Sequence, residues 1–177
     1  SYLSPCGTEH GRKQSGSYYT PADVATFFWR EFFRFQGLDD PSASKDYVRQ
    51  TRFMEPAAGA GALIFALLHR LALTGLRPQE LAEIELCVVD INKRALAFVQ
   101  EQLITLGSRW NITFEKVNFI CGDFRCVEIT PSSKSLTIFG NPPFVSNPPG
   151  SSRWKNLFAD FVDIALRHTG QRGALHF

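Results

Sequence analysis

From Arg52 onward the chain alternates short apolar runs with longer stretches in which apolar residues recur at helical spacing. Short runs closed by Gly, Asp or Asn read as buried strands, whereas apolar residues three and four apart read as one face of a helix. The pattern predicts strands over 52–55, 85–89, 118–121, 136–139 and 174–177, with helices over 61–73, 93–106 and 156–167 between them. Strands joined by crossover helices close as a parallel sheet covered on both faces, so the expected fold is doubly wound α/β.

A different pattern precedes the sheet. Residues 1–17 are polar and rich in Gly, Ser, Lys and Arg, which predicts a flexible arm. Thr20-Pro21 followed by Asp23 reads as an N-cap, a first-turn proline and an acid that complements the helix dipole, opening a helix over 21–35. Val24, Phe27, Phe28, Phe32 and Phe35 fall largely on one face of it, and Gly37 with Asp39-Asp40-Pro41 supplies the stop. Residues 37–48 are expected to form a linker or a short helical turn. The organisation is therefore an arm at 1–17, a helical segment at 18–50 and one domain at 51–177. Gly173 to Phe177 looks like a strand just begun, whose edge groups would be left unpaired, so the natural chain is expected to continue. Ser1-Tyr2-Leu3-Ser4 carries neither an initiator Met nor the basic and apolar pattern of a secretory signal, as expected of a processed or clipped start.

Composition narrows this picture little. A length of 177 residues suits one α/β domain, and no apolar run is long enough to span a bilayer. The formal net charge of +2 neither demands nor excludes nucleic acid, because phosphate binding draws on clustered Lys and Arg. Cys6, Cys87, Cys121 and Cys126 match neither a disulfide framework nor a zinc site, and the histidines are scattered. Reduced thiols, a cytoplasmic location and no metal are expected.

In an open parallel sheet, ligands bind beyond the carboxyl ends of the strands. Four groups stand there. Glu55-Pro56-Ala57-Ala58-Gly59-Ala60-Gly61 is a small-residue loop whose glycines admit close approach of a ligand; it equally suits a tight strand-to-helix turn, and it lacks the third glycine of a dinucleotide fingerprint. Asp90, followed by Ile91, is placed to accept from both hydroxyls of a ribose, or to cap the next helix. Asp123 with Phe124 could take an adenine amino group beside a ring, or be a loop acid. Asn141-Pro142-Pro143-Phe144 is the sharpest. Successive prolines fix their dihedrals and donate no hydrogen bond, so the Asn141 amide and a neighbouring carbonyl become fixed acceptors for a two-proton exocyclic amine, with Phe144 as a stacking face. A plain Pro-Pro turn would require neither the Asn before nor the aromatic after.

These residues resemble the amino-methylating DNA methyltransferases, and within them the adenine-N6 enzymes of restriction-modification systems. The resemblance runs from Gly16 to the end: Asn141 to Phe144 match the family's base-holding tetrapeptide, and Glu55 and Ala58 depart mildly from its usual cofactor loop. Gly16-Ser17-Tyr18-Tyr19-Thr20-Pro21 is similar to the motif that closes over the methionine part of the cofactor. The resemblance implies a Rossmann-like methyltransferase sheet that binds S-adenosylmethionine and releases S-adenosylhomocysteine. Tyr19, Thr20, Pro21, Glu55, Pro56, Ala57, Gly59, Gly61, Asp90, Ile91, Asp123, Phe124 and Asn141 would hold the cofactor, and Asn141, Pro142, Pro143 and Phe144 the target amine. DNA would be the substrate, Arg153 and Lys155 candidate phosphate contacts, and a specificity or restriction subunit the partner. The alternatives are cytosine N4, an RNA or protein-glutamine substrate, and a cofactor-binding subunit without turnover. A nicotinamide dehydrogenase is a distant one, since Asn-Pro-Pro-Phe would have no role in it.

Overall fold

The computed structural model describes residues 19–130, 132–145, 156–169 and 173–177. The expected arm, the motif residues 16–18, the Pro, Ser and Gly-rich stretch at 146–152, and Arg153 and Lys155 lie outside the described residues.

The apolar runs form β1 (Thr51–Glu55), β2 (Glu85–Asp90), β3 (Val117–Cys121), β4 (Ser135–Phe139) and β5 (Ala174–His176). All pairings are parallel, in the order β3-β2-β1-β4-β5. From β1 the chain steps outward through β2 and β3, then crosses back to β4 and β5. The order therefore reverses between β1 and β4, where sheets of this kind leave a crevice.

Among the described residues six α-helices accompany the strands: α1 (Ala22–Gln36), α2 (Pro41–Gln50), α3 (Ala62–Leu73), α4 (Pro78–Leu81), α5 (Lys93–Trp110) and α6 (Leu157–Thr169). Because side chains alternate across a strand, the sheet feeds two cores. Phe53, Leu86, Val88 and Phe139 pack with Trp29 and Phe33 of α1, Val48 of α2, Ile64 and Leu67 of α3 and Val99 of α5. Met54, Cys87, Val89 and Ile138 point the other way, against Phe124 and against Phe161 and Ala165 of α6. The fold is α/β and Rossmann-like, as expected, with unequal layers: α1, α2, α3 and α5 on one face and α6 on the other. Two polar ties, one buried and one partly buried, join the thicker layer. Trp29 Nε1 donates to the Leu63 carbonyl at 2.7 Å, and the Tyr47 hydroxyl lies 2.7 Å from Thr137 Oγ1.

The N-terminal segment departs from expectation in three places. Helix α1 begins one residue late: Pro21 is its N-cap, extended at ψ 149°, without a side-chain cap, and Thr20 is used elsewhere. Its buried face is Ala25, Trp29, Phe32 and Phe33, while Val24, Phe27 and Phe35 are exposed; the periodicity identified the helix but not its inner face. Residues expected as a linker or a short helical turn form the longer helix α2, because Asp40 caps Ala43 N–H and Pro41 sits in the first turn. Gly37 ends α1 as expected, at φ 66°, with Leu38 N–H donating back to the Phe33 carbonyl.

Candidate active site

The loop after β1 is held by its backbone. Gly59 and Gly61 have φ of 51° and 76°, the left-handed region that only glycine enters without strain. A Cβ on Gly61 would lie 2.9 Å from Val99 Cγ2 and 3.0 Å from Phe65, so α3 packs onto α5 through that missing atom. Ala58 N–H donates to the Val89 carbonyl at 3.0 Å and Gly59 N–H to Asp90 Oδ2 at 2.7 Å, tying the loop to the end of β2.

Asp90 is not the cap of α5. Asn92 fills that place, accepting from Arg94 N–H and Ala95 N–H, while Asp90 Oδ1 accepts from Asn92 N–H at 2.7 Å. An acid held by two backbone donors keeps further lone pairs for a ligand hydroxyl. Beside it, Ile91 is 70% exposed and offers an apolar surface.

The loop after β4 is tied at both ends. Gly140 N–H donates to the His176 carbonyl at 3.0 Å, and Leu157 N–H of α6 donates to the Val145 carbonyl at 2.9 Å. Asn141 Nδ2 donates to Thr20 Oγ1 at 3.4 Å, which engages the donor end of the amide and turns its acceptor end to other partners. Pro142 is buried, Pro143 half-buried and Phe144 exposed. The Phe144 ring stacks on Phe158 with centroids 5.1 Å apart.

Tyr19, Thr20, Glu55, the small residues at 57–60 with Ala62, and Asn141 line one cavity, at the switch point between β1 and β4. Glu55 is 3% exposed and its Oε2 has no hydrogen-bond partner. Burial pushes its carboxyl well above the usual 4.5, and the charge of Asp90 acts in the same direction. A buried, unpartnered carboxyl beside a glycine loop complements an ammonium group.

Known proteins resemble the chain in fold rather than in sequence. No protein-family model matches it, and no curated protein sequence does. Among solved structures, a protein described as the modification subunit of a type I restriction enzyme from Vibrio vulnificus YJ016 superposes with a TM-score of 0.61 at 16% identity, over 89% of this chain and 32% of its own. The DrdV–DNA complex gives 0.63 at 13% identity, over 95% of this chain and 21% of that one. A type I restriction-modification system methyltransferase subunit from Streptococcus thermophilus gives 0.52 at 16% identity, over 79% and 27%. The chain shares the Rossmann-like α/β fold of these proteins. This chain spans about a third or less of those longer proteins.

Within that fold, Tyr19, Thr20, Glu55, Ala57, Gly59 and Asn141 come together around the cavity. Asp90 joins them through Gly59, and Pro56 backs them by packing against Gly140, where an added Cβ would lie 3.3 Å from Pro56 Cδ. Pro21 and Gly61 act through the backbone, as the cap of α1 and of α3. Asp123 and Phe124 do not line the cavity. The Asp123 carboxylate caps the short turn Phe124–Cys126 and accepts from Arg125 Nε at 3.0 Å and Nη2 at 2.6 Å, which holds it below the usual carboxylate range. Phe124 is 1% exposed in the thinner core, against Phe161. Ala58, Ala60 and Ala62 were not singled out from the sequence as contacts; small size beside the glycines was their signal. Phe158 was read only as part of a helix, and no local pattern marks its contact with Phe144.

No helix among the described residues is long and apolar enough to cross a membrane. Among the same residues no three His, Cys, Asp or Glu side chains are grouped to hold a metal ion.

Proposed function

We propose that this protein transfers a methyl group from S-adenosylmethionine to the N6 amino group of adenine in DNA, with residues 51–177 as its methyltransferase domain. The observation that carries the reading is the position of Asn141, which opens the Asn-Pro-Pro-Phe loop and lines the same cavity as Glu55 and the glycine loop. When bound, S-adenosylmethionine supplies an electrophilic methyl carbon whose bond to sulfur is exchanged for a bond to N6, leaving S-adenosylhomocysteine.

The chain's residues fit that group. Glu55, with Tyr19, Thr20 and Pro21, suits the amino-acid end: an ammonium beside the unpartnered Oε2 would favour the ionised carboxylate. Gly59 would offer its backbone to the middle of the cofactor, Asp90 would accept from ribose hydroxyls, and the exposed Ile91 would cover the adenine. Asp123 takes the adenine amino group once its carboxylate is shared with or released by Arg125.

On the other side, Asn141 Oδ1 and the Pro142 carbonyl accept the two protons of N6. Both hydrogen bonds favour a pyramidal nitrogen whose lone pair is withdrawn from the ring, and one proton leaves to water after transfer. No strong base is required. Orientation is the main contribution, and intramolecular reactions of good geometry gain roughly 7–11 kcal/mol in this way. The base must leave the duplex at a cost of a few kcal/mol, partly offset by stacking on Phe144. Fold similarity to modification subunits supports DNA as substrate and a specificity or restriction subunit as partner.

Labelled methyl transfer to unmethylated DNA, followed by digestion to nucleosides, tests this reading. Label in N6-methyladenine is expected. Label in N4-methylcytosine would correct the base, label on RNA or protein would replace the substrate, and cofactor binding without transfer to any of them would make this a non-catalytic subunit.

A further inference from the structure

Phe158 stands in the first turn of α6 and lines no part of the cavity. Its ring is nonetheless parallel to that of Phe144, with centroids 5.1 Å apart and planes inclined by 10°. Every other aromatic pair in contact among the described residues is edge-on or tilted. Those are the arrangements that aromatic packing in a core favours, along with offset stacking. Phe158 is itself held in place. Asn156 Oδ1 accepts from its N–H at 2.9 Å, and the Phe177 ring packs edge-on at 6.1 Å. The neighbouring Leu157 N–H binds the Val145 carbonyl, so loop and helix are joined one residue beyond Phe144.

Phe144 itself is 60% exposed. An unsupported ring with that exposure changes rotamer on the picosecond-to-nanosecond timescale, and ordering it on binding costs affinity. We propose that Phe158 is a positioning residue for the target base: it backs Phe144 and fixes the plane of that ring, so that the opposite face receives a flat heterocycle in a three-ring stack. This rests on the reading of Phe144 as the base platform. The stack also links α6 to the substrate loop without any contact between Phe158 and the base.

Two measurements on the full chain test this. The first needs no DNA. A para-fluorophenylalanine incorporated at 144 should show an upfield ring-current shift in its fluorine spectrum that disappears in Phe158→Leu; an unchanged resonance overturns the proposal. The second uses any duplex that the unaltered protein methylates. Phe158→Leu should raise KM for DNA about three- to tenfold, the range expected for one stacking contact. The dissociation constant for S-adenosylmethionine should stay constant, and Phe158→Tyr should restore KM. An unchanged KM overturns the proposal, as does a lower one, which would mean that Phe158 occupies the place of the base. If the unaltered protein methylates no DNA, the base reading fails, and the fluorine spectrum decides separately whether Phe158 holds Phe144.

Discussion

The loops that follow β1 and β4 lie side by side, Pro56 against Gly140, yet they achieve rigidity by opposite means. The first relies on two left-handed glycines and on hydrogen bonds from Ala58 and Gly59 to β2 and Asp90. The second relies on two prolines, ties at Gly140 and Val145, and a ring stacked on α6. A loop of small residues presents its backbone to a ligand, whereas a proline loop presents a chosen amide and ring. The pair teaches that two loops meeting at one switch point can each be made rigid without one loop's chemistry constraining the other.

Four substitutions test that separation. The largest effect is expected from Asn141→Ala: loss of one preorganised transition-state contact costs about 10²- to 10³-fold in turnover, while calorimetry should find cofactor affinity nearly unchanged. Undiminished turnover would remove Asn141 from the chemistry. Asp90→Ala should do the reverse, weakening cofactor binding about 10- to 100-fold through lost charged hydrogen bonds and sparing turnover at saturation. Equal affinity in calorimetry would refute the ribose assignment.

Gly61→Ala forces a Cβ into Val99 and Phe65 at positive φ and should cost about 1–3 kcal/mol in urea unfolding, whereas Pro143→Ala in the neighbouring loop should cost less than about 1 kcal/mol. Similar losses would erase the distinction between the two loops.

The smallest effect concerns pH. Glu55 has a folded-state value raised above 4.5 by burial and by Asp90. Its contribution to stability is therefore whole below that ordinary value and is lost as pH rises through the folded one. Glu55→Gln should flatten this decline, so the denaturant midpoint of the parent should fall relative to the variant as pH rises above 4.5. Parallel profiles would show that Glu55 titrates normally.

Much of this was legible along the chain because the relevant signals are local. The apolar runs mark the five strands of the described residues to within a residue or so, and the loop after β1 and Asn141 after β4 line the cavity. Where reading failed, more than one face or partner was available. Phenylalanines surround α1 on several sides, so spacing could not tell that Trp29 and Phe33 face inward while Val24 and Phe27 face water. Asp40-Pro41 served both as the stop of one helix and as the start of the next.

The places of the strands along the chain and of the chemical groups at their ends follow from short-range physics: alternation, fixed proline dihedrals and glycine's freedom at positive φ. Contacts between distant segments do not. That Thr20 meets Asn141 across 121 positions, that Glu55 becomes a buried and unpartnered acid, and that Phe158 lies parallel to Phe144 depend on how the two layers close over the sheet. Those distances arise from packing as a whole, which no window of sequence encodes.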